Sequence, residues 1–312
     1  MALDTTAPAA ATAATASTPG SAPRPASARR GPGTGSALSS RVTVNTLLAL
    51  VAVYTLMPLT WLLVNATKSN GDLFGRPGFA LGDFHLFANL ADMFAYQDGL
   101  FARWLGNSLL YSVVGSAGAT LLSLLAGYAF DKYAFPGKEK LYGLVLVGIL
   151  VPHTVISLPM YLLASDLGLV NTYWSVLIPG LVNPFGVYLA RIFSESYVPA
   201  ETLEAARLDG AGELRIFRSV ALPMLSPAFV TIFLFSFTAS WNSFFLPLVM
   251  LNDASLYPIG VGLFNWNAVL PQEPHYYAFV VTGSLVSVLP LAIAFLSLQR
   301  YWRSGLTAGA VK

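Results

Sequence analysis

Residues 204–228 read EAARLDGAGELRIFRSVALPMLSPA, and the rest of the chain can be placed around them. They belong to a segment, Arg191 to Arg218, with nine charged side chains: Arg191, Glu195, Glu201, Glu204, Arg207, Asp209, Glu213, Arg215 and Arg218. Long apolar runs flank this segment on both sides. Pro199 suits the first turn of a helix, in which Leu203, Ala205 and Ala206 share a face with Glu204 and Arg207 beside it. Gly210 can end that helix in the left-handed conformation. Asp209 is then placed to cap a second helix, where Leu214, Phe217 and Ala221 recur at steps of three and four. Pro223 ends the second helix and Pro227 opens the next apolar run. The expected element is helix, glycine turn, helix, with a small apolar ridge and charged flanks. Such a ridge can dock into a groove on a partner. A solvated amphipathic loop would show the same periodicity.

Of the 312 residues, 55% are hydrophobic and 10% charged. A soluble domain carries about 25% charged residues, so this chain lacks the polar surface to sit in water and reads as a polytopic membrane protein. Charge-free runs cover residues 42–67, 104–130, 141–165, 167–190, 219–252 and 274–299. Each exceeds the roughly 20 residues that cross a hydrocarbon core as helix. The expected fold class is therefore all-α membrane, with six transmembrane helices. Lysine and arginine set the orientation. With the N-terminus inside, only Lys68, Arg76 and Arg103 face outward, and the other fourteen of the seventeen basic residues face the cytoplasm. That predicts an N-in, C-in topology and puts the charged hairpin on the cytoplasmic side. Residues 1–40 are built from Ala, Pro, Thr, Ser and Gly. Such a composition cannot offset the entropy of ordering, so a disordered cytoplasmic tail is expected, followed by a membrane domain over 41–312. Cysteine is absent, which removes disulfides and thiolate metal sites from consideration, and no metal site is expected.

Several positions inside the spans stand out. Gly115, Ala119, Ser123 and Gly127 put small residues on one face of the second span, which lets another helix approach closely. Pro152 interrupts the third span beside His153. An intramembrane ionisable group is a functional candidate, and a neutral histidine can also satisfy carbonyls freed by a proline break. Asn183 and Pro184 break the fourth span. In the fifth, Ser240, Trp241 and Asn242 precede Phe245. Amides and aromatics at mid-membrane can line a substrate path, with ring faces against a sugar and amides on its hydroxyls. Equally, Trp can anchor at an interface and Asn can join helices. The outer loops, about 68–103 and 253–273, are polar enough to meet something outside the cell.

Glu204-Ala205-Ala206, Asp209-Gly210-Ala211, Phe217, Leu222-Pro223 and Pro227 resemble the EAA loop of permease subunits of binding-protein-dependent ABC importers. Val220 stands where that family usually has isoleucine. Lys68-Ser69-Asn70, Asn107-Ser108-Leu109, residues 126–130 and Trp241-Asn242 also fit. The tail that includes Gly305, Leu306, Thr307 and Ala308 resembles that of the carbohydrate-type permeases, notably the second permease subunit of the maltose importer. The resemblance implies a loop at about 194–226 seated on a cytoplasmic ATPase dimer. Glu204 would pair with a basic group there, and the tail from Gly305 would make a further contact. A second permease subunit would complete the pore for a carbohydrate, and an extracytoplasmic solute-binding protein would deliver it. ATP and magnesium would bind the ATPase, not this chain, which lacks a phosphate-cradling glycine loop. Gly137-Lys138-Glu139 has neither the spacing nor the hydroxyl. An ABC permease for a non-sugar solute is the alternative. An ion-coupled transporter would normally carry Asp or Glu in its spans, and none of these six does. An intramembrane enzyme would need a nucleophile and base, and no such pairing is evident. No nucleic-acid role is indicated.

Overall fold

The computed structural model describes residues 34–308, with side chains from 41 to 299; the expected disordered tail lies almost wholly outside them. Every regular element among the described residues is helical, as the composition requires of a lipid-embedded chain. Helix α1 (Thr34–Ala66) is followed by the short α2 (Asn70–Gly75) and α3 (Leu86–Ala95). The mast of the fold is α4 (Leu100–Lys132), 33 residues and so about 50 Å long at 1.5 Å per residue. Next come α5 (Lys138–Leu150), α6 (His153–Asp166), α7 (Trp174–Gly180) and α8 (Pro184–Tyr197). The charged hairpin holds α9 (Ala200–Leu208), α10 (Glu213–Ile216) and α11 (Leu222–Met224). Beyond it lie α12 (Ser226–Trp241), α13 (Phe245–Met250), α14 (Ile259–Ala268) and α15 (Tyr276–Ala308).

Among the described residues, four helices are long and apolar enough to cross a membrane, and two bent pairs raise the number to as many as six. One pair is α5 with α6, bent by 106°. Pro152 stands at that break as the N-cap of α6, where its missing N–H and fixed φ stop α5. The other bend, 77°, separates the segment Glu213–Met224 from α12. The apolar run that begins at residue 219 is thus broken at Leu225, and α12 begins at Ser226.

Contacts give the helices a common ruler. Ser123 and Gly127 of α4 meet Gly186 and Ala190 of α8, so these two helices run parallel and in close approach. The small-residue face read from the sequence is this packing seam. Helix α12 runs antiparallel to α4: Ala228 clusters with Leu124 and Tyr128, and Ser240 Oγ donates to Tyr111 O at 3.2 Å farther along. At one end of α4, Arg191 of α8 pairs with Glu139 of α5 at 3.4 Å and stacks over Tyr142. At the other end, Tyr173 donates to Asn107 Oδ1 at 3.1 Å, and Asn171, just beyond α6, accepts from the backbone of Asn252 and Asp253. The pair α5–α6 therefore starts at one end of α4 and finishes at the other.

Near the N-terminal end of α4, side chains on that helix hold an irregular segment. Trp104 Nε1 donates to Ala254 O, Asn107 Nδ2 to Ser255 O and Tyr257 O, and Tyr111 to Leu256 O. Ser108 Oγ accepts from Ile259 N at 2.7 Å. The Asn-Ser pair in the sequence is thus a rail for the 254–259 segment. Lys68, counted above among the basic residues on the outer side, is buried, at 0% exposed. Its ammonium donates to Asn65 Oδ1 (3.1 Å), Pro77 O (2.9 Å) and Gly78 O (3.2 Å), which uses its donors without a carboxylate. Beside it, Ser69 caps α2 and Asn70 Oδ1 accepts from Ala278 N. Replacing Lys68 by methionine keeps the stem and leaves Asn65 Oδ1 without its donor, at about 1–3 kcal/mol for that unmet group, while Pro77 O keeps the Ala80 N–H and Gly78 O keeps Asn65 Nδ2. The expected outcome is a lower thermal inactivation midpoint of the purified protein, with Lys68→Arg less affected.

Candidate functional site: a charged hairpin seated on the bundle

The hairpin is built from a buried base outward. Leu203, Ile216, Ala221 and Leu225 form one apolar cluster with Leu124 and Tyr128 of α4, Ala190 of α8, and Ala228 and Ile232 of α12. Through this cluster the hairpin touches three long helices at once. Helix α9 ends at Asp209, and Gly210 follows with φ +79°, the left-handed turn expected from the sequence. The Gly210 N–H reaches Arg207 O and the Ala211 N–H reaches Ala206 O, which closes the helix end. Asp209 does not cap the second helix as expected. It is the C-cap of α9, while Gly212 is the N-cap of α10 with no side-chain cap bond, because four residues, 209–212, separate the arms. The ridge also differs. Ile216 supplies the buried side chain, while Leu214 points outward at 78% exposed.

After α10 the backbone winds as a π-helical turn, Phe217–Ala221, with Leu222 N–H bonded to Phe217 O. Pro223 explains it. Proline has no N–H for the Ser219 carbonyl and its ring crowds that position in an α-helix, so the turn widens by one residue. Phe217 packs on Tyr128, with ring centroids 5.2 Å apart.

Glu204, Ala205, Asp209 and Pro223 are exposed, while Ala206, Ala211 and Leu222 are half-buried and pack against the base. Leu208 is 90% exposed, and with Leu214 it gives a charged surface two apolar knobs that water disfavours. On the hairpin opens a cavity of about 240 Å³, lined by Ala206, Asp209, Ala211, Arg215, Ile216, Ser219 and Val220. The hairpin thus presents a concavity, opposed charges at its wall and unburied leucines. Sequence reasoning missed one interaction at its centre. Arg207 Nε and Nη2 donate to Glu213 Oε1 and Oε2 at 2.7 and 3.3 Å, and Tyr133 donates to the same Oε2 at 2.6 Å. Arg207, then Tyr133, hold the Glu213 carboxyl below the usual carboxylate range. Burial and then Glu213 push the Tyr133 phenol up. A lowered carboxyl pKa means the pairing is complete above the unperturbed value near 4.3 and fades only as pH falls through the lowered one. At neutral pH the pairing is intact.

The residues read as a substrate path do not share one environment. Asn183 caps α8, accepting from Gly186 N, and donates to Ser236 Oγ at 2.8 Å. Ser240 faces α4. Trp241 is 9% exposed and its indole N–H donates to Ser287 O of α15. Asn242 and Phe245 are exposed, although Asn242 also donates to Thr238 O. Successive helical positions turn by about 100°, which sends Ser240, Trp241 and Asn242 toward different neighbours. His153 opens α6 with its ring exposed, while its carbonyl takes the Ser157 hydroxyl. Gly305, Leu306, Thr307 and Ala308 lie on the last turns of α15.

Residues 119–307 match the family model described as binding-protein-dependent transport system inner membrane component. The chain belongs to this family. It is a multi-pass membrane transport subunit, and the hairpin lies wholly inside the matched region. The permease is 33% identical over 267 residues to an arabinooligosaccharides transport system permease protein of Halalkalibacterium halodurans, covering 85% of this chain and 94% of that one. It is 30% identical to the Bacillus subtilis protein of the same description, over 87% and 96% of the two chains. A lactose transport system permease protein of Rhizobium radiobacter is 28% identical over 85% and 94%. Among solved structures, a bacterial ABC transporter involved in the import of the acidic polysaccharide alginate superposes with a TM-score of 0.75 at 24% identity, over 89% of this chain and all of that one. That likeness carries the fold alone.

Proposed function

We propose that this permease is half of the pore of an ABC importer for a sugar or oligosaccharide, coupled through its hairpin to ATP hydrolysis in a separate ATPase dimer. The observation that carries the coupling is the hairpin's two-sidedness. Its base is packed into the ends of α4, α8 and α12, while Glu204, Leu208 and Leu214 are exposed and a cavity opens along Ala206, Asp209, Ala211 and Arg215. A rigid body with that base and that face transmits displacement from a docked partner into the bundle. The interfacial set is Glu204, Ala205, Ala206, Asp209, Gly210 and Ala211, with Phe217, Leu222 and Pro223 fixing its seat. Gly305, Leu306, Thr307 and Ala308 supply a second contact with the ATPase. ATP and magnesium belong to that partner, and a second permease subunit and an extracytoplasmic solute-binding protein complete the importer.

Six crossings with both termini inside follow from the charge-free runs and the basic-residue distribution, and the contacts along α4 support counting α5–α6 once. The α5–α6 pair ends at the level of Asn107 and Asn252 after starting beside Arg191, so it counts as one bent crossing. Residues 41–312 then form the permease domain, with the coupling loop at about 194–226 and the tail 1–40 outside it. The preference for carbohydrate rests on the arabinooligosaccharide and lactose permeases to which the chain is similar. For the path, Asn242 and Phe245 keep exposed faces that a solute can meet, and Asn183, Ser240 and Trp241 shape the wall behind them.

The experiment is reconstitution of the importer with Glu204→Ala. The ATPase is expected to co-purify poorly and uptake to fall at least tenfold. Uptake at the unaltered level would remove the hairpin from the coupling path. Offering labelled oligosaccharides against amino acids and peptides tests the substrate class separately.

A further inference from the structure

We propose that Glu213 fastens the hairpin to α4, so that the two move as one body during coupling. The inference rests on the coupling role just proposed and names the residues that make the connection stiff. One carboxylate receives three donors from two directions. Arg207, in the last turn of α9, reaches it across the glycine turn in a bidentate fork, and Tyr133 reaches it from the residue directly after α4. The fork joins the two arms of the hairpin. The tyrosine joins that hairpin to the mast.

Apolar packing alone would let these parts slide. Leu203, Ile216 and Ala221 sit against Leu124 and Tyr128 through contacts that have no direction. A bidentate Arg–carboxylate pair and a short phenol–carboxylate bond do have direction, and charge assistance makes them stronger than neutral hydrogen bonds. Tyr133 is held at its own ring as well, edge-on to Tyr128 at 5.8 Å, and Tyr128 packs on Phe217 at the start of the π turn. The fastening therefore closes a loop, from Glu213 through Tyr133, Tyr128 and Phe217 back to the hairpin. Part of it faces water, with Arg207 and Glu213 side chains 40% and 48% exposed. An exposed pair contributes little to folding, so its loss should disturb transmission more than stability. Glu213 and Tyr133 are thus positioning residues, distinct from the outward face that Glu204 presents.

The test uses the complete importer in liposomes with its solute-binding protein, and the variants Tyr133→Phe, Glu213→Gln and their combination. Solute imported per ATP hydrolysed is expected to fall roughly threefold to tenfold in each single variant, within the range of coupling between groups in contact. The double variant should be no worse than Glu213→Gln alone, since the bond that Tyr133→Phe removes ends on the same carboxylate. The ATPase should co-purify normally. Swapping charges with Arg207→Glu and Glu213→Arg restores the arm-to-arm pair without the anionic acceptor for Tyr133, and it should assemble yet keep the loss seen in Tyr133→Phe. Because the chain has no cysteine, Leu125→Cys and Thr202→Cys give clean spin-label positions on α4 and α9. Their distance distribution, measured with cysteine-free partners, should broaden in Glu213→Gln. Unchanged import per ATP, an unchanged distribution, or losses that multiply in the double variant would each overturn the proposal. Gly210→Pro separates the two ideas. If it abolishes import while Tyr133→Phe and Glu213→Gln behave as the parent, only the fastening is wrong. If Gly210→Pro imports normally, the coupling role itself fails.

Discussion

Replacing Gly127 by leucine is expected to prevent folded permease from accumulating in the membrane, and Gly127→Ala to lower its thermal midpoint clearly. A Cβ at this position would lie 2.6 Å from Arg191 N and 2.7 Å from Ala190 C. Both are backbone atoms of α8, so no rotamer change relieves the contact and the helices must separate. Overpacking of this kind costs about 1–3 kcal/mol for a small group, and more for a leucine. The cost extends beyond one contact, because the same seam places Ser123 beside Asn183 and Gly186. It also leads into the cluster holding Ala190, Leu203 and Ile216. Separating α4 from α8 therefore loosens the seat of the hairpin. Gly106 is the control on the same helix, since a Cβ there meets nothing within 4 Å. Gly106→Ala is expected to be neutral or to stabilise by up to about 1 kcal/mol through reduced backbone entropy in the unfolded chain. Melting curves of the variants in detergent, with membrane yields alongside, check the contrast. Equal behaviour at positions 106 and 127 would show that close approach of α4 and α8 is not what the glycine provides.

The parts legible in the sequence are those whose cause is local. Charge is excluded from hydrocarbon residue by residue, so the apolar runs stand out without any knowledge of packing. Gly210 was readable because a helix end needs a left-handed residue there, and its φ of +79° meets that need. Pro152 marked a break for the same reason, yet nothing nearby encodes the 106° angle, which the packing of α5 on α8 and α6 on α13 sets. What stayed hidden depends on distant acceptors. The burial of Lys68 could not be read because its carbonyl partners, Pro77 and Gly78, follow nine and ten residues later in a loop. Trp241 looked available to a sugar because Ser287, which takes its N–H, is 46 residues away. Glu213 looked like a flanking charge because one donor lies across a turn of non-helical spacing and the other 80 residues upstream. Periodicity finds faces. It does not find the partner a face meets.

A graded series at Gly210 should give the second large effect, ranking Asn above Ala above Pro in retained import and in solute-stimulated ATP hydrolysis. The site isolates backbone conformation from packing, because a Cβ there would touch nothing within 4 Å. Asparagine enters the left-handed region at little cost. Alanine pays about 1–2 kcal/mol for it, which makes the bent state roughly five- to thirtyfold less favoured, and import should drop by a factor of several. Proline fixes φ near −65° against the +79° observed, and it also removes the N–H that closes α9 on Arg207 O at 2.9 Å. With the turn opened, Arg207 and Glu213 no longer face each other and the 240 Å³ cavity loses the wall formed by Ala211. Import and stimulated hydrolysis should then disappear. The bundle itself should survive, since the exposed turn contributes no buried side chain between Leu203 and Ile216. Gly210→Pro is therefore expected to reach the membrane at normal levels with a nearly unchanged thermal midpoint. A protein that folds, inserts and no longer transports would locate the defect in transmission. A collapse in membrane yield would instead make Gly210 a folding residue.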